Sequence, residues 1–177
     1  MEGLVTLKSR VRVYPIFMVM LLAMIAAGSL LPAPYELLHD RYTRYNEYYK
    51  DIAKKRLEER VYSIFFNNLG AGLLMLTPVV GPFFATQICL ETGLTLRAIA
   101  LVEYRNLGLL LLTLVFLPIT WSEMLAYAVA LTESAWLSRA LIKRENINLA
   151  LTASLLLLSS ALLLLSATFE ALHMIMP

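Results

Sequence analysis

Glu123 stands in "PITWSE", residues 118–123, between two runs of hydrocarbon side chains, where a carboxylic acid is costly unless something partners it. Other polar residues lie in similarly apolar surroundings. Asn67 and Asn68 precede Gly70, Ala71 and Gly72, a pattern that suits a close helix contact, with small residues admitting a neighbouring backbone and amides bonding across it. Gln87, Glu91 and Thr95 follow one another at i, i+4 and i+8, so on a helix they form one polar stripe. Where such segments converge, Asn67, Asn68, Gln87, Glu91 and Glu123 make a polar intramembrane site able to hold an ion or a small solute.

Each residue also has a plainer reading. The two asparagines serve equally as glue between helices, and Glu91 equally marks the interfacial end of a shorter helix. For Glu123 the alternative is a capping box. In "TWSE", Thr120 as N-cap bonds the N–H of Glu123, whose carboxylate reaches back to the N–H of Thr120.

Glu133 lies on the same apolar segment as Glu123, ten residues on, and so points elsewhere on a helix. That spacing does not suit a shared metal site, which takes ligands at i, i+3 or i+4. His39 and His173 are isolated, Cys89 is the single cysteine, and no phosphate loop or nucleophile with its base is present. The expectation is therefore a protein that is not an enzyme, with no catalytic, cofactor-binding or metal-ligating residues. A net charge of +2, with basic residues interleaved among acids, gives no footprint for nucleic acid.

The elements that must position these residues follow from hydropathy. The chain has 177 residues, 59% hydrophobic and 16% charged, with a mean hydropathy of +0.69. No charged residue occurs from Val13 to Tyr35, Val61 to Leu90, Asn106 to Ser122, or Asn146 to Phe169. A spanning helix needs about 20 apolar residues, and hydrocarbon offers no partner for free backbone groups. The fold class is accordingly all-α: an integral membrane helical bundle of five to six membrane segments, multi-pass in the cell membrane, with the lipid bilayer as its surroundings.

The first segment covers 13–31 and ends at Pro32 and Pro34. Lys8, Arg10 and Arg12 precede it, but its apolar run exceeds the 7–15 residues of a signal peptide. A charged helix over 36–60 comes next, and the membrane core occupies 61–177, the whole forming a single membrane domain. Within that core, Thr77, Pro78, Gly81 and Pro82 mark a break. The later segments run over 83–102, 106–117, 121–141 and 149–172.

The 106–117 segment is short. Thirteen residues up to Pro118 make about 20 Å of helix against a hydrocarbon core of about 30 Å, so it either crosses or re-enters. If every segment crosses, twelve basic residues face one side and only Lys8, Arg10 and Arg12 the other, which puts the N-terminus outside. Re-entry instead places residues 36–60 outside.

In that charged helix Leu38, Tyr42, Tyr45, Tyr49 and Ile52 repeat at alternating spacings of four and three, and so line one face. Tyr42, Tyr45 and Tyr49 read as a surface lying at headgroup level or docking on a partner, or else as a face packed on the chain's own loops.

The order of features resembles the stage II sporulation protein M family. An apolar first helix and a charged linker helix precede the F-x-N-N of Phe65, Phe66, Asn67 and Asn68. A glycine-interrupted turn, the Thr92–Gly93 pair and a Pro-x-x-x-x-Glu step from Pro118 to Glu123 follow, with Ala126 beyond. Where that family commonly carries His and Gly after the proline, this chain has Ile119 and Thr120. The resemblance covers about residues 60–140. It implies a polytopic membrane protein with its linker outside, acting as a scaffold or assembly factor of the cell envelope, with an envelope protein as partner. The alternative is a channel or transporter for small solutes or ions. In either role so small a bundle is expected to work as a homo-oligomer.

Overall fold

A computed structural model describes residues 7–174 and has eight α-helices within them: α1 (Leu7–Val11), α2 (Tyr14–Leu30), α3 (Tyr35–Lys54), α4 (Leu57–Leu76), α5 (Gly81–Val102), α6 (Leu107–Phe116), α7 (Pro118–Lys143) and α8 (Leu149–His173). Regular structure among the described residues is entirely helical. Three stretches are long and apolar enough to cross a membrane: Leu7–Leu30, Gly81–Val102 and Leu149–His173. The α6–α7 pair qualifies when taken together, although its axis bends by 73° at Leu117.

α7 is the axis of the bundle. Every residue from Ala126 to Ser134 is buried, as befits a helix enclosed on all sides rather than amphipathic. It packs most extensively on α8, then on α2 and α4, and also touches α5 and α6. The main core joins Leu21 and Ile25 of α2, Met75 of α4, Ala85 and Cys89 of α5, Met124, Tyr127 and Leu131 of α7, and Leu163 of α8.

α2 and α5 share the most extensive contact of all. It depends on two glycines: a Cβ at Gly28 would lie 2.5 Å from the Leu90 carbonyl oxygen, and one at Gly93 would lie 2.1 Å from that of Ile25. Backbone meets backbone here, as small residues permit. The expected break after α4 is a turn over Thr77–Val80, clamped from α7: Ser134 Oγ donates to the Thr77 carbonyl at 2.8 Å, and Val79 N–H donates to Ser138 Oγ at 2.7 Å.

Two local expectations are corrected. Residues 36–60 do not form one helix. The chain breaks at Lys55–Arg56, where Arg56 takes an extended backbone (φ −65°, ψ 156°). Glu59 accepts from the Arg56 N–H at 3.3 Å, while Arg60 Nε donates back to the Lys55 carbonyl at 2.8 Å. These bonds satisfy the helix ends on both sides of the break, so the last residues of the expected linker become the first turn of α4.

The capping box at "TWSE" is likewise not formed. α7 begins earlier, with Leu117 at the N-cap and Pro118 in the first turn, where proline's fixed φ is already helical and its missing N–H costs nothing. Thr120 N–H is satisfied by the Leu117 carbonyl at 3.1 Å. Glu123 thus falls in the second turn, free to face the bundle.

Candidate functional site

Two residues of the expected site meet. Asn68 on α4 donates from Nδ2 to Glu123 Oε1 at 2.8 Å, and Ser166 on α8 donates from Oγ to the same oxygen at 3.0 Å. The Ser166 hydroxyl also lies 3.4 Å from the Ile119 carbonyl, one turn before Glu123. Three helices therefore converge on one carboxylate oxygen through neutral donors. Tyr127 is one turn further along α7 and buried. Glu170 is one turn beyond Ser166 on α8 and partly buried.

The other three residues do not join them. Asn67 is exposed and donates to Asn68 Oδ1 at 3.4 Å, next to the site rather than in it. Gln87 and Glu91 do share a face of α5, but that face is outward and both are exposed. Glu91 is ion-paired with Arg41 of α3. The pair belongs to a cleft of about 360 Å³ between α3 and α5, lined by Asp40, Arg41, Arg44, Tyr45, Tyr48 and Glu91.

α3 is fastened at its two ends. Leu38 is buried, and Ile52 packs with Ile64 of α4 and with Ala167 and Ala171 of α8. Between these anchors Tyr42 donates to Glu103 Oε1 at 3.3 Å. Tyr45, Tyr48 and Tyr49 remain 37%, 47% and 39% exposed. Partial burial lifts the Tyr45 and Tyr48 hydroxyls above the ordinary phenol value, and the negative charge of Glu170 adds to this, so both stay neutral hydrogen-bond donors.

Glu133 holds a second polar centre. It is fully buried; Arg10 Nη1 engages both of its carboxylate oxygens, and Thr152 Oγ1 donates to Oε2 at 2.8 Å. The Tyr14 hydroxyl and Arg10 Nε are buried beside it without hydrogen-bond partners. Sequence reasoning placed Glu133 away from Glu123 but did not find Arg10 as its counter-ion. The available signal was a basic cluster, Lys8, Arg10 and Arg12, leading into one apolar run, and an acid inside another, since a buried charge calls for its opposite.

Among the described residues, no group of three or more His, Cys, Asp or Glu side chains is arranged to hold a metal ion. Chemically, the Glu123 site offers a carboxylate with neutral donors on one oxygen, whereas the Glu133 site is a closed ion pair. No family model, no curated protein and no solved structure matches the chain.

Proposed function

We propose that this chain is a multi-pass protein of the cell membrane that serves as a scaffold or assembly factor of the envelope, working as a homo-oligomer. The observation that carries the reading is α3: anchored by Leu38 and Ile52, it leaves Tyr45, Tyr48 and Tyr49 exposed together on the outside of the bundle. Large amphipathic rings so displayed suit a protein partner or the headgroup layer. The resemblance to the stage II sporulation protein M family supports the same role. On this reading the membrane segments number five to six. The charge-free stretch Val61–Leu76 of α4 joins the three long apolar helices and the bent pair, and α6 and α7 count as one segment or two.

The test is the mass of the complex after gentle extraction, with wild type and a variant replacing the exposed Tyr45, Tyr48 and Tyr49 by Ser. A stoichiometric foreign subunit that the variant loses is the expected result. Its retention by the variant dismisses this face as the dock.

The convergence of Asn68, Ser166 and Glu123 favours a second reading, a channel or carrier for a small solute or ion. A closed homo-oligomer without foreign chains, together with flux in liposomes that Glu123→Gln abolishes, decides for it. Unchanged flux removes Glu123 from the path.

A further inference from the structure

The cleft between α3 and α5 opens at the edge of an apolar span. Arg97 Nη1 donates to the Leu31 carbonyl just past α2, so this turn of α5 is level with the close of that helix. Glu91, six residues earlier, lies about 9 Å further in along the axis, and Arg41 reaches it from α3. Beside that pair Arg44 is joined to Asp40. With Tyr45 and Tyr48 these four side chains wall a space of about 360 Å³, a size that holds a small molecule. The Arg41 guanidinium has bonding capacity to spare, because Nη1 meets Glu91 while Nε is buried without a hydrogen-bond partner. Arg44 keeps 76% of its side chain exposed. Below the cleft the same outward face of α5 carries exposed Gln87 and then Phe83, 68% exposed, about 6 and 12 Å beyond Glu91. An amide facing hydrocarbon calls for a partner.

The charged residues lining the cleft are two of each sign. A lone anion placed there would part each arginine from its carboxylate and leave two acids without a cation, which is costly near hydrocarbon. A ligand carrying both a phosphate and an ammonium exchanges partners instead, and every charge stays paired. We propose that this cleft binds one aminophospholipid of the bilayer, with its phosphate between Arg41 and Arg44, its ammonium at Asp40 and Glu91, and its acyl chains along α5 past Gln87 and Phe83. Guanidinium groups take phosphate oxygens through paired N–H bonds, and the Tyr45 and Tyr48 rings present hydroxyl donors at headgroup level. The Gln87 amide donates to an ester carbonyl at the head of the chains. Headgroup, ester and hydrocarbon thus meet ions, amide and ring in that order. The proposal needs a bilayer around the bundle, and neither the scaffold nor the carrier role.

The experiment is native mass spectrometry of the full chain released from nanodiscs of phosphatidylethanolamine and phosphatidylglycerol in equal parts, with identical acyl chains. The expected result is one phosphatidylethanolamine retained per chain, in preference to phosphatidylglycerol. Joint Arg41→Gln and Arg44→Gln should weaken that retention about tenfold or more, since hydrogen bonds to a charged group are lost. Joint Asp40→Asn and Glu91→Gln leaves two unbalanced arginines and should turn the preference towards phosphatidylglycerol. Helicity and unfolding temperature report whether each variant folds. If the arginine variant does not fold, the carboxylate variant decides alone, its unchanged preference overturning the proposal. A wild type that retains both lipids alike, or neither, overturns it too, as does retention that the folded arginine variant leaves in place. Soluble phosphoethanolamine is expected not to displace the lipid at equal concentration; displacement makes the occupant a soluble phosphate ester and overturns the lipid. A foreign protein subunit has its own mass in the same spectrum, so failure of the lipid site and failure of the scaffold reading are told apart.

Discussion

Glu123 and Glu133 lie ten residues apart on the same helix, about 15 Å along its axis, and the bundle treats them oppositely. At Glu133 a guanidinium and a threonine hydroxyl close around the carboxylate. At Glu123 an amide and a serine hydroxyl share one oxygen, and the next ionisable residue along α8 after that serine is another acid, Glu170. A closed ion pair fixes α1 and the start of α8 to the central helix and resists exchange with solvent. A neutral shell leaves the carboxylate able to change its state without a cation being stranded. The difference lies in what each carboxylate meets, since the residue type and the helix are the same.

The sharpest way to break this comparison is Arg10→Ala. It leaves Glu133 buried without its counter-ion and is expected to cost about 3–5 kcal/mol, read by unfolding in detergent. Joint replacement by Arg10→Met and Glu133→Leu should recover most of the loss, because an apolar pair of similar volume often equals a buried ion pair. If Arg10→Ala costs no more than a lost hydrogen bond, the two centres are not different in kind. Ser166→Ala or Asn68→Ala removes one donor to Glu123 and should cost about 1–2 kcal/mol in the same assay.

Glu91→Gln gives the external reference. Its pair with Arg41 is half-exposed, so a change of about 0–1 kcal/mol is expected. The smallest effect belongs to Glu59, held below the usual carboxylate range by its hydrogen bonds to Arg56. A lowered value means that its contribution is present above the ordinary carboxylate range and is lost as pH falls through that lowered value. Faster amide exchange at the start of α4 in acid, absent at neutral pH, is the expected observation.

The sequence makes helix ends legible where hydrocarbon runs meet strong punctuation: Pro32 and Pro34 after α2, Thr77 to Pro82 between α4 and α5. Shared faces were legible too, because helical period alone puts Gln87, Glu91 and Thr95 in one stripe. Which way a stripe faces is a tertiary matter, and on α5 it faces outward. The ends of α4 and α7 were misread for a local reason. A cap pattern at Thr120 competes with Pro118, which favours the first turn, and the charged run over Lys54–Arg60 conceals a break that backbone bonds from Arg60 and Glu59 stabilise. The partners of Glu123 and Glu133 lie 55 and 123 residues away at the farthest, a separation that periodicity cannot bridge.

The backbone contact at Gly28 and Gly93 bears on motion. At these two glycines no side chain separates the backbones, so α2 and α5 have little room there to shift past one another. Rearrangement during any working cycle must then be taken up elsewhere, at seams filled by side chains such as that between α7 and α8. Glu123 lies on that seam with Ser166 opposite, well along it from the Thr152 bond that ties the start of α8 to Glu133.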